Sequence, residues 1–206
     1  NGELEIAIYL ILLATIFDFF DGWFARKLKS KSNFGAELDS LSDFVSFGVA
    51  PSFLIYLWST NTLGSLGWGA TLFFVICSAL RLARFTADIY ITNKPIDDNE
   101  YFVGVPSPAA AGLLLLPLFM FFEFDFDFLK NEYLNLVITM LIGIMMISKI
   151  PTISIKKIQI NQRYKTWIFL IFVIVCVALI SKIWLTLVSV LSLYLLSIIY
   201  TVFKTR

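Results

Sequence analysis

Four aspartates in an otherwise oily stretch are the residues of this sequence best suited to chemistry. Asp18 and Asp21 are three apart, and Asp39 and Asp43 four apart, so on helices each pair shares one face. Asp18 lies eight residues before Arg26, and Asp43 eight after Gly35. At the rise of a helix, each is roughly 12 Å from the connecting loop, so the two pairs can meet across a hairpin. A carboxylate at the centre of a membrane costs about 2.5–3.5 kcal/mol on insertion scales, and four together also repel. Protonation or bound cations relieve both problems. Four negative charges balance two divalent cations, and an all-oxygen donor set suits Mg²⁺ or Mn²⁺. Ca²⁺ meets the same chemistry. The plainer alternative is helix capping, or pairing with Arg26 and the nearby Lys27, Lys29 and Lys31.

The elements that must position these groups are membrane helices. Of 206 residues, 59% are hydrophobic and only 15% charged, against about a quarter charged in ordinary soluble domains. Apolar segments fall at about 4–25, 40–58, 68–85, 105–122, 133–149, 166–181 and 183–203, near the length that spans a bilayer core. The expectation is a single all-α, polytopic transmembrane bundle over 1–206, with its catalytic helices at about 4–58. Basic residues fall in alternate connections: the lysines after the first segment, Arg81 and Arg84 at the end of the third, and "KIPTISIKKIQINQRYK" after the fifth. The connection after the fourth, "EFDFDFLKNE", is acidic. The positive-inside rule then puts the 26–35 loop and the C-terminus in the cytoplasm. "TADIYITNKPIDDNEYF" reads as a long cytoplasmic loop. With no histidine, histidine catalysis and ligation are excluded. Cys77 and Cys176 sit in apolar runs and read as buried small hydrophobes. A net charge of +1 gives no support for a nucleic-acid partner.

The spacing Asp18-x2-Asp21-Gly22-x2-Ala25-Arg26-x8-Gly35-x3-Asp39-x3-Asp43 resembles the signature of the CDP-alcohol phosphotransferases at all eight positions. Members of that family move a phosphatidyl or related group from a CDP-linked donor to an alcohol. The resemblance implies a two-metal site built from Asp18, Asp21, Asp39 and Asp43, with Asp43 as general base. It implies donor contacts from Gly22, Ala25, Arg26, Ser32 and Gly35, and an assembly as a homodimer. The residue types agree with those roles: a glycine lets a nucleotide approach the helix backbone, and an arginine offers a planar fork to phosphate oxygens. The family also carries a helix ahead of the one with its first aspartate, so one further N-terminal helix is expected.

The acceptor alcohol must be read elsewhere. "FGAELDSLSDFVSFGVAPS", "ICSALRLARF" and "FVGVPSPAAAG" are similar to the membrane-embedded phosphatidylserine synthases of bacteria, a branch of the same family. That similarity implies CDP-diacylglycerol and L-serine as substrates, and a bacterial plasma membrane with the site facing the cytoplasm. Arg81, Arg84 and Ser107 are the candidate acceptor or phosphate contacts. Their bland alternatives are snorkelling anchors for the arginines and a small-residue packing face around Ser107. Glycerol-3-phosphate or inositol phosphate is the rival acceptor. A cation transporter, with the aspartates as its transit site, is the rival of another class; Gly22, Ala25, Arg26 and Gly35 at fixed offsets speak against it.

Overall fold

The structure is a computed structural model and describes residues 2–28, 33–92, 101–148, 151–153 and 165–204. Each of the seven apolar segments is a helix. α1 is Gly2–Leu28. α2 is continuous and built of Asn33–Asp43, a π-helical turn Phe44–Val49, and Ala50–Trp58. The rest are α3 (Ser65–Thr92), α4 (Ser107–Phe124), α5 (Glu132–Ile147), α6 (Lys165–Ser181) and α7 (Ile183–Lys204). Among the described residues, four stretches are long and apolar enough to cross a membrane: Glu37–Trp58, Ser65–Arg84, Ser107–Phe124 and Ile183–Lys204. The chain is a membrane protein. Its exterior agrees, since α6 exposes Leu170, Ile171, Val173, Ile174, Val177 and Ile180, a face suited to lipid rather than water.

α3 packs along α5, and α4 along α7, while α1 lies against the second half of α2. The core between them gathers Ile8 and Ile11 of α1, Leu54, Ile55 and Trp58 of α2, and Leu113, Leu114 and Leu118 of α4. Trp184, at the start of α7, bridges helices: its ring centroid is 5.7 Å from Tyr9 and 5.0 Å from Phe122.

The connections sort to two ends. At one, Ser59 after α2 donates to the Lys130 carbonyl at 2.9 Å, and the buried Asn135 amide donates to Ser59 Oγ at 3.0 Å. These join the second and fourth connections. At the other, Tyr101–Val103 (β1) pairs antiparallel with Pro151–Ile153 (β2), joining the third and fifth. The second and fourth connections thus share one end and the third and fifth the other, with the carboxylate-bearing ends of α1 and α2 on the β1–β2 side of the molecule.

Two features depart from the sequence reading. α3 continues to Thr92, through the first part of the presumed loop: Ala87, Ile89 and Tyr90 extend a helix readily, and Pro95 ends the permissive stretch. The short β pair was not expected in an all-α chain. It is closed by Gly104, whose φ of 80° opens the turn into α4. A Cβ there would stand 2.7 Å from the Met146 carbonyl oxygen. Gly104→Ala should therefore cost about 1–3 kcal/mol of stability, read as a lowered midpoint in thermal unfolding in detergent; an unchanged midpoint would contradict this account of the turn.

Candidate active site

α1 and α2 form the hairpin, and their facing sides carry the carboxylates. Asp18 and Asp21 are one turn apart on α1, and Asp39 and Asp43 one turn apart on α2. Asp18, Asp21 and Asp39 each bring a carboxylate oxygen within 4.8 Å of the others. Asp43 joins them through a hydrogen bond between its carboxyl group and that of Asp18, and feels the charge of all three. The cluster is graded in depth: Asp21 and Asp39 are exposed, while Asp18 and Asp43 are half-buried. Three converging hard oxygen donors fit a divalent cation of the magnesium, manganese or calcium type, and the fourth carboxylate sits at the inner edge of that set.

The π-helical turn begins directly after Asp43. There the Ala50 N–H bonds to the Val45 carbonyl, five residues back. Pro51 follows without an N–H to give, and the single Ser52 hydroxyl hydrogen is shared between the carbonyls of Gly48 (2.9 Å) and Val49 (2.8 Å). A wide turn inserts a residue and so rotates the aspartate-bearing half of α2 relative to its packed half. π-turns of this kind often mark functional sites.

The other candidate residues are placed as follows. Gly22 has nothing within 4 Å of where a Cβ would stand, so its backbone is open to a ligand. Ala25 and Arg26 lie on the last turns of α1, and the exposed Gly35 on the first turn of α2. The side chains of Ala25 and Arg26, and the whole of Ser32, are outside the described residues.

Arg81 and Ser107 meet: Arg81 Nη1–H donates to Ser107 Oγ at 2.7 Å, linking α3 to the start of α4. Arg81 is also within electrostatic range of Asp43 and of the Tyr194 phenol. Arg84, three residues on, is exposed and apart from that setting. Tyr194 escaped the reading of the sequence. It carries no mark there beyond being one of two tyrosines, with Tyr200, in the apolar run of α7, and its nearness to Arg81 arises from packing.

Phe17, Phe20 and Phe24 of α1 and Phe34, Leu38 and Leu41 of α2 are all exposed and bracket the carboxylates. The polar cluster thus opens between apolar surfaces.

Comparison with known proteins was informative. A family model described as CDP-alcohol phosphatidyltransferase matches residues 1–147. A Methanocaldococcus jannaschii protein named CDP-diacylglycerol–serine O-phosphatidyltransferase is 39% identical over 175 residues, covering 84% of this chain and 72% of that protein. One of the same name from Helicobacter pylori is 35% identical over 161 residues, 78% of this chain and 66% of the relative. A Bacillus subtilis protein, also so named, is 41% identical over 108 residues, 52% of this chain and 57% of the relative.

If the carboxylates act as a cation site, Asp21→Asn and Asp39→Asn should each weaken Mn²⁺ binding. Loss of even an outer-shell partner costs about 10- to 100-fold in metal affinity, so losing a ligand should cost at least that. Calorimetric titration of the purified protein with Mn²⁺, without substrates, checks this; wild-type affinity in both variants would contradict it.

Proposed function

The chain belongs to the CDP-alcohol phosphatidyltransferase family, and from that premise we propose that it transfers the phosphatidyl group of CDP-diacylglycerol to L-serine, giving phosphatidylserine and CMP. The observation that carries this reading is the convergence of Asp18, Asp21, Asp39 and Asp43 beside the Arg81–Ser107 pair. A site for pyrophosphate then adjoins a site for a small polar acceptor. The names of the relatives support serine as that acceptor.

The donor is a lipid, and the bracketing apolar residues suit its acyl chains. Its diphosphate is brought to the exposed carboxylates, with Gly22 leaving room for the nucleotide and Arg26 offering a guanidinium to phosphate oxygens. Asp18, Asp21, Asp39 and Asp43 would hold two divalent cations, Mg²⁺ or Mn²⁺, which when bound neutralise the carboxylates and the donor's diphosphate. Asp43, the deepest-placed carboxylate of α2, accepts the proton of the serine hydroxyl. The freed oxygen bonds to the phosphatidyl phosphorus, the P–O bond to CMP breaks, and CMP leaves with the electron pair. Arg81 and Ser107 bind the acceptor, whereas the exposed Arg84 acts as an anchor at the membrane surface. The basic connections support a cytoplasmic position at the plasma membrane for this end of the bundle and for the site with it.

Two measurements test the proposal. Membranes carrying the protein, supplied with CDP-diacylglycerol, Mn²⁺ and a mixture of labelled acceptors, should label lipid from serine in preference to glycerol-3-phosphate; the reverse preference would overturn serine as the acceptor. Asp43→Asn should lower turnover by about 10²- to 10⁴-fold, the usual worth of a general base, and a near-native rate would remove Asp43 from that role.

A further inference from the structure

Among the described residues, three buried polar atoms lack a hydrogen-bond partner: Asn135 Oδ1 at the Ser59 end, and Arg81 Nε and the Tyr194 hydroxyl at the carboxylate end. Arg81 spends Nη1 on Ser107, but its Nε is buried with no hydrogen-bond partner among the described residues. The Tyr194 hydroxyl is likewise buried and without a partner among them. A buried donor left unsatisfied is destabilising, and two such groups within electrostatic range of one another are seldom kept for packing alone.

Helix packing explains why they face one another. α7 runs along α4, and Leu191 sits where a side chain on Gly112 would collide with it. Tyr194, one turn further along α7, is thereby brought level with the start of α4, where Ser107 receives the Arg81 bond. The same guanidinium lies within electrostatic range of Asp43. Three helices thus bring a cation edge, a phenol and a carboxylate together from positions far apart in the chain.

We propose that Tyr194 is a specificity-determining contact for the acceptor: its hydroxyl and the Arg81 Nε–H each donate to one oxygen of the acceptor's carboxylate, which sets the acceptor's hydroxyl toward Asp43. This rests on the reading of serine as acceptor and adds a residue to it. Two donors match two carboxylate oxygens, whereas a phosphate monoester would bring a third oxygen and a further charge to be answered. Both atoms lie beneath the surface, so this role requires the Arg81 side chain to turn from Ser107 when the acceptor binds.

The test compares wild type with Tyr194→Phe, which keeps the ring and removes only the hydroxyl, in membranes supplied with CDP-diacylglycerol and Mn²⁺. Loss of a hydrogen bond to a charged group should raise the KM for serine by roughly 10-fold or more, with the KM for CDP-diacylglycerol little changed. Preference for serine over ethanolamine, which lacks the carboxylate, should fall by a similar factor. Arg81→Lys, which removes Nε while keeping a positive charge, should show the same narrowing. If the wild type uses serine but Tyr194→Phe keeps the same serine KM and the same preference, the inference is wrong while the proposed reaction stands. If the wild type itself incorporates no serine, the proposed reaction fails first.

Discussion

Like charges gathered at a membrane hairpin are the constraint on which the rest of this molecule depends. Asp18, Asp21 and Asp39 hold oxygens within 4.8 Å of one another, and Asp43 adds a fourth carboxyl through Asp18. At such separations repulsion grows as the surroundings lose water, so the arrangement calls for a shared proton, as between Asp18 and Asp43, or for counter-charge. In the reaction proposed above, divalent cations would answer the carboxylates and their remaining charge would attract the donor's diphosphate, so the energetic liability of the hairpin would become the source of its affinity.

Holding the carboxylates in place falls to the rest of the bundle. The second half of α2 is locked into the core by Leu54, Ile55 and Trp58, while the π-turn after Asp43 lets the first half face α1. α3 contributes Arg81, and α4 offers Ser107 at its first turn. The polar knot of Ser59, Lys130 and Asn135 ties the opposite end. The carboxylates thus lie at one end, where the β1–β2 pair ties two connections, and the Ser59 knot ties the other.

Much of this was legible in the sequence because membrane helices announce themselves by long apolar runs: each of the seven segments is helical among the described residues, and four stretches are long and apolar enough to cross a membrane. The pairing of the four aspartates was legible for a related reason: spacings of three and four residues fix a helix face without help from tertiary structure. What sequence alone did not disclose is what depends on packing. The π-turn needed Pro51 and Ser52 to be read together with Gly48 as one backbone device, which no periodicity reveals. The β1–β2 pair depends on two connections meeting across the bundle. Tyr194 gains its meaning from Leu191 seating against Gly112, a contact between helices distant in the chain. Charge alternation, by contrast, foretold which connections share an end, since it reflects the membrane rather than any local contact.

The central claim is that the carboxylate cluster drives phosphatidyl transfer to serine with the help of divalent cations. Release of CMP from CDP-diacylglycerol by the reconstituted protein tests it most directly, measured with serine and Mn²⁺ present, with serine omitted, and with the metal removed by chelation. The account predicts CMP matched mole for mole by phosphatidylserine, and neither product when serine or metal is withheld. CMP release that continued without serine, or transfer that survived chelation, would contradict it.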